Sequence, residues 1–396
     1  KMLRSLVNRI TRVRANSCAR AVSAHGARSL PIENSAWQIS RKEAAVRGKS
    51  TNVTELLRWG RRDFSQSAGL QSSAEQAKVD PLAVADARFS KEKYDEAESE
   101  YSSVLSSDPN NVQALLRRAE CRHRLNRAKD AEDDFLRVTS LDPLNSLALH
   151  RLAFLSVAKL ASNVIDRDVG MAEAKDRFKS ALSVQPDRAD LHYGLGLMEM
   201  HGGNFKDALS QQNRAIECDP KFAPAYGAKG DALQALEKFQ EAADSYSKFL
   251  DLSEAYYSSA ERKLNFSSTM VLCGVLLKRG LCYKMINDED FAGMDFEAII
   301  NSAPSDRRLL ALANHLLAST LLSSEKWSKV IELNNTALRL DPMVADAYQH
   351  RALAYRGLGM AEEAEKDEAK FKELEEQFLR HAQEQEQQQQ QEAGAV

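Results

Sequence analysis

Between Lys78 and Gln377 the pattern of small, aromatic and apolar residues returns eight times with a period of about 34 residues. With each cycle numbered from its own first residue, position 8 is Ala85, Ala119, Ala153, Gly196, Gly230, Gly280, Ala318 and Ala352, small in every case. Position 20 is Ala97, Ala131, Ala174, Ala208, Ala242, Ala292, Val330 and Ala364, with only the seventh cycle departing from alanine. Position 24 is aromatic in five cycles, as Tyr101, Phe135, Phe178, Tyr246 and Phe296. Small residues allow two helices to approach closely, and a large ring then fills the space they leave. Proline recurs at position 32 as Pro109, Pro143, Pro186, Pro220, Pro304 and Pro342, four times directly after an aspartate. Proline cannot continue a helix, so each of these residues ends the second helix of its cycle. The pattern therefore predicts an all-α chain of eight helix-turn-helix units. Plain amphipathicity would explain apolar residues at helical spacing, but not small residues and proline held in one phase over eight cycles.

Through positions 8, 20, 24, 27 and 32 the chain resembles the tetratricopeptide repeat family over roughly three quarters of its length. The resemblance implies a right-handed superhelical solenoid, with units near 78–111, 112–145, 146–188, 189–222, 223–256, 273–306, 311–344 and 345–378. The related 35-residue RNA-reading repeats lack the joint small-residue and Asp-Pro signature and match less well. Three inserts interrupt the register. Ser162 to Gly170, with Asp166, Asp168 and Gly170, reads as an exposed loop; Tyr257 to Leu272 reads as an additional or extended helix; Arg307 to Leu310 precedes the seventh unit.

Composition changes sharply outside the repeats. Lys1 to Pro31 holds seven basic residues and no acidic one, with Leu3, Leu6, Val7 and Ile10 forming one apolar stripe against arginines. An arginine-rich, acid-poor amphipathic start resembles a mitochondrial transit peptide. Arg62, Phe64 and Ser65 resemble a processing site, with Ser67 and a longer pattern placing a second possible cut after Gln71. Residues 1–71 are thus expected to be removed, and the alternative is a basic tail that binds nucleic acid or membrane. They carry fourteen Lys+Arg against four Asp+Glu, a net +10 in a chain of net −3, which leaves −13 on the remainder. So acidic a body argues against direct nucleic-acid binding. Five scattered cysteines fit neither a disulfide framework nor a metal knuckle and agree with a reducing compartment such as the matrix. No stretch has the roughly 18 apolar residues that span a bilayer. From about Leu379 the chain becomes a Gln/Glu-rich polar tail, and Phe371, Leu374 and Phe378 are expected to cover the last apolar face.

Chemical motifs are absent. There is no phosphate loop, zinc-binding His pair, nucleophile elbow or dinucleotide fingerprint, so no catalytic residue, cofactor, metal or small-molecule substrate is expected. The resemblance implies partner binding in a concave groove lined by positions 2, 5, 6, 9, 12 and 13 of each first helix. Those positions include Arg117, Arg124, His150 and Arg151 as a basic patch, and Tyr193, Leu277 and His315 among more apolar neighbours. Arg117 and Arg151 share position 6, so their guanidinium forks would stand one repeat apart and suit carboxylates of a partner. The competing reading pairs them with Asp86, Glu120 and Asp130 of the chain itself. The carboxylate-clamp residues of chaperone-binding members are missing, with Leu82 and Asp86 at two of their places. The expected function is a non-catalytic mitochondrial scaffold, an accessory or assembly subunit binding partner proteins on the matrix side. The alternative is an organelle gene-expression factor that touches RNA or the mitochondrial ribosome.

Overall fold

A computed structural model describes residues 81–161, 167–258, 266–302 and 305–394. Residues 1–71, with Arg62, Phe64 and Ser65, lie outside the described residues, as does Pro304. Among the described residues there are sixteen helices and no strand. They follow as pairs: α1 (Pro81–Ser90) with α2 (Tyr94–Ser107), α3 (Val112–Arg124) with α4 (Ala128–Leu141), and α5 (Ser146–Ala161) with α6 (Arg167–Val184). Next come α7 (Ala189–His201) with α8 (Phe205–Cys218), α9 (Ala223–Ala235) with α10 (Phe239–Ser258), and α11 (Phe266–Met285) with α12 (Glu289–Asn301). The series closes with α13 (Arg307–Thr320), α14 (Trp327–Leu340), α15 (Ala345–Gly357) and α16 (Ala361–Gly394). The chain divides into two compact units at Ala232 and Leu233, within α9. In the first, each helix from α1 to α8 packs on the next; in the second, the same holds from α10 to α16. This is an all-α solenoid architecture, in which each pair finds cover for its apolar face on its neighbour.

Close approach explains the small positions. All the position-20 residues are fully buried, as are the position-24 rings of Tyr101, Phe135, Phe178, Tyr246 and Phe296. A Cβ built on Gly280 would lie 2.7 Å from Cε1 of Phe296, and one on Gly196 2.3 Å from Nε2 of Gln212. Helix ends follow the Asp-Pro pairs for a reason the dipeptide does not itself display. Oδ1 of Asp108, Asp219 and Asp341 accepts from the backbone N–H of Asn110, Lys221 and Met343, closing a turn around the intervening proline. Asn111 and Asn145 then cap α3 and α5 through Ala114 N–H and Ala148 N–H.

Two periodic features had no part in the sequence reading. Position 15 is left-handed in seven pairs, as Glu92, Asn126, Gly203, Glu237, Asn287, Glu325 and Gly359, with φ between 53° and 78°. Three of these are glutamate, which carries a steric penalty there that glycine would not. The second is a recurring ion pair between positions 7 and 23. Nε and Nη2 of Arg118 donate to Asp134 at 2.9 and 2.7 Å; Arg279 does the same to Asp295 at 2.8 and 2.5 Å, and Arg351 to Asp367 at 2.7 and 2.6 Å. Nη1 of each arginine reaches position 25 of the preceding pair, at Ser102, Ser247 and Asn335. One guanidinium thereby ties a first helix to its own partner and to the pair before it.

The inserts are corrected in part. Asp168 and Gly170 stand on α6 and not in a loop, while Ser162 to Asp166 lie outside the described residues. The described ends of the Tyr257 to Leu272 segment extend α10 and begin α11, and no separate helix stands between them among the described residues. Arg307 to Leu310 form the first turn of α13, capped by Asp306 Oδ1 on the N–H of Arg308 and Leu309. The polar tail continues α16 to Gly394, a helix of 34 residues. Leu374 is buried, but Phe378 is 51% exposed, so the expected cover of the last apolar face stops short of it.

Candidate partner-binding site

First helices carry the residues expected to meet a partner, and packing separates those with surface from those without. On α3 the Arg117 guanidinium carbon lies 5.4 Å from the Phe89 ring centre, and its Nε is 3.6 Å from Asp86 Oδ1. Its side chain keeps 21% exposure. Arg124, one helical turn beyond Glu120, places Nε 3.3 Å from Glu120 Oε1 with 27% exposure. Arg151 on α5 is different: it is 1% exposed, with Nε 3.1 Å from Glu120 Oε2 and Nη2 donating to Oε1 at 3.2 Å. Glu120 is itself buried. The fork read from the sequence as a receptor for a partner's carboxylate is therefore closed on a carboxylate of the chain, because burying a guanidinium requires a counter-charge. As a surface contact Arg151 is corrected; Arg117 and Arg124 remain at the surface.

His150, also on α5, is buried with its Nε2 2.8 Å from Asp190 Oδ2 on α7. Arg188 holds the same carboxylate at 2.6 Å. Burial pushes the Asp190 carboxyl up, but the bonds and charges of His150 and Arg188 outweigh it and hold the group well below the usual carboxylate range. The basic patch is thus three groups, Arg117 with Asp86, Arg124 and Arg151 with Glu120, and His150 and Arg188 with Asp190, so that most of its positive charge is matched internally. Tyr193 is buried edge-on against Phe222, with ring centres 5.4 Å apart, and builds core.

In the second unit Leu277, Leu281 and Leu312 are half-buried, and Met285 and Leu353 are 46% and 48% exposed. These leave apolar surface on first helices, at register positions 2, 5, 9 and 13. His315 is buried, stacked on His350 with ring centres 4.8 Å apart. The Arg118, Arg279 and Arg351 pairs fix how these helices present their faces. Their signal in the sequence was an arginine followed 16 residues later by an aspartate in three units, visible only once the register is applied. Among the described residues no three His, Cys, Asp or Glu side chains are grouped to hold a metal ion, and no helix is long and apolar enough to cross a membrane.

A family model described as tetratricopeptide repeat matches residues 82–146 and 171–223, and a second with that description matches residues 223–256. Residues 82–146 and 171–256 carry tetratricopeptide repeats. The C-terminal part of a TPR repeat-containing protein from Cytophaga hutchinsonii aligns at a TM-score of 0.51 and 19% identity, covering 68% of this chain and 98% of that one. That likeness is one of fold. MamA from Desulfovibrio magneticus RS-1 aligns at a TM-score of 0.39 and 23% identity over 48% of this chain and 96% of its own. Protein SGT1 homolog of Oryza sativa subsp. japonica is 28% identical over 116 residues, 29% of this chain and 29% of the length of that relative.

Proposed function

We propose that this chain is a non-catalytic mitochondrial scaffold, an accessory or assembly subunit that takes segments of partner proteins along the first helices of its repeats. The observation that carries the reading is the series of tetratricopeptide repeats with apolar side chains left uncovered on first helices, at Leu277, Met285 and Leu353. Arg117 and Arg124 supply polar contacts at the surface, while His150, Arg151, Tyr193 and His315 shape the helices from within. The mitochondrial address rests on the acid-free, arginine-rich residues 1–31 and on the Arg62, Phe64, Ser65 pattern, with the matrix or the matrix face of the inner membrane as its destination.

Cross-linking mass spectrometry on tagged full-length protein, purified from mitochondria with and without ribonuclease, tests this reading. Links from first-helix lysines such as Lys278 to a small set of proteins, unchanged by ribonuclease, are the expected result. Links that collapse with ribonuclease would replace it with RNA-associated gene expression, and a tagged chain absent from mitochondria would overturn the address.

A further inference from the structure

The joint between the last two repeats holds buried polar groups that peptide capture does not require. His315 on α13 and His350 on α15 stack with ring centres 4.8 Å apart and planes 18° from parallel. Nδ1 of His315 lies 3.2 Å from Oδ1 of Asn334 on α14, and Asn334 is wholly buried. His350 is partly exposed as a residue, but its Nδ1 is buried and has no hydrogen-bond partner among the described residues, and the same is true of Nδ2 of Asn334. From α11, Lys284 Nζ donates to Ser319 Oγ on α13 at 2.6 Å, and its ammonium charge acts on both rings. Glu289 on α12 and Asp346 on α15 act on Lys284, and Glu375 on α16 acts on Asp346. Neither imidazole is bonded to a carboxylate among the described residues.

The contrast with His150 is informative. His150 and His315 share position 5, yet His150 has Asp190 against its ring and His315 has the amide of Asn334. The carboxylate at His150 is also held by Arg188. A proton on His315, or on the buried Nδ1 of His350, would set a cation where no carboxylate is bonded to either ring among the described residues, beside a second ring and a lysine. Two parallel rings cannot share that proton edge to edge, so the helices must separate to let water reach it. We propose that the His315–His350 stack is an acid-sensitive latch, and that protonation of either ring parts α15 from α13 and loosens the last repeat.

The direction follows from linkage. Burial, with Lys284 adding to it, pushes His315 down to about 4 and His350 well below its ordinary value. An opened joint regains ordinary imidazoles that titrate near 6.5. The closed joint therefore has its full stability above that value and loses it as pH falls from there toward the lowered values. Burial pushes the Glu289 and Asp346 carboxyls up, so they favour the closed form at lower pH and oppose the effect there. Leu353 lies on α15, so partner contacts at the last repeat would loosen with it.

Hydrogen exchange on the full chain, at about pH 7.5 and about pH 5.5 with intrinsic rates corrected, reads this directly. Protection in α13 and α15 is expected to fall by about tenfold for each ring released, relative to α8. His350→Phe keeps a flat ring in the stack and removes one titrating group, so its acid-induced loss should be about tenfold smaller. Lys284→Met removes the cation whose charge adds to burial at both rings and should also reduce the loss, which decides the matter if His350→Phe does not fold. An acid response unchanged in these variants, or spread evenly over all helices, would overturn the latch.

Discussion

Asp295→Ala is expected to be among the most damaging single changes in the second unit. Arg279 and Asp295 are 4% and 2% exposed, joined by two bonds of 2.8 and 2.5 Å, with Ser247 on the other edge of the guanidinium at 3.1 Å. Truncating the aspartate strands a buried cation on α11 without its counter-charge, at a cost of about 3–5 kcal/mol. Replacing both partners, Arg279→Met with Asp295→Leu, removes the charge together with its need for a partner and should stay within about 2 kcal/mol of the natural chain. The more exposed Arg351–Asp367 pair, at 17% and 9% side-chain exposure, should show a smaller penalty for Asp367→Ala because water can solvate the stranded guanidinium. Urea unfolding gives the global cost. Since repeats can open separately, hydrogen exchange in α11 and α12 supplies the local one. A loss below about 1 kcal/mol for Asp295→Ala, or a double variant no better than the single, would refute the argument that charge burial governs this joint.

Two further outcomes follow from backbone approach. Gly280→Ala puts a methyl 2.7 Å from the fully buried Phe296 ring and should destabilise by about 1–3 kcal/mol, read as a lower urea midpoint. Glu325→Gly should stabilise by about 0.5–1 kcal/mol, because Glu325 is exposed and holds φ at 53°, a conformation that glycine adopts without a Cβ clash. A raised midpoint in thermal or urea unfolding checks it.

Much of the architecture was legible in the chain because it depends on local periodicity. Position 8, position 20 and the Asp-Pro pairs each act within one hairpin, so their spacing alone locates two helices, a close crossing and a turn. The candidate site was less legible. Arg117 and Arg151 share a register position and a residue type, yet one keeps surface against Asp86 and the other is enclosed with Glu120. Periodicity places both on the same face of successive helices; it does not report how deeply a neighbouring side chain covers each. Tyr193 and His315 were read as facing a partner for the same reason, and both are buried.

By itself, then, the sequence determined the all-α class, the repeat length, the close-packed positions and the compositional break before the repeats, all of which follow from residue size and period. Tertiary structure decided what no periodicity encodes. It set which arginine keeps surface and which is enclosed with a carboxylate, and which side chains at partner-facing register positions become buried between helices. Those outcomes depend on contacts between separate helices, where burial and counter-charge act together, and the same residue type at the same position can end in water or in the core.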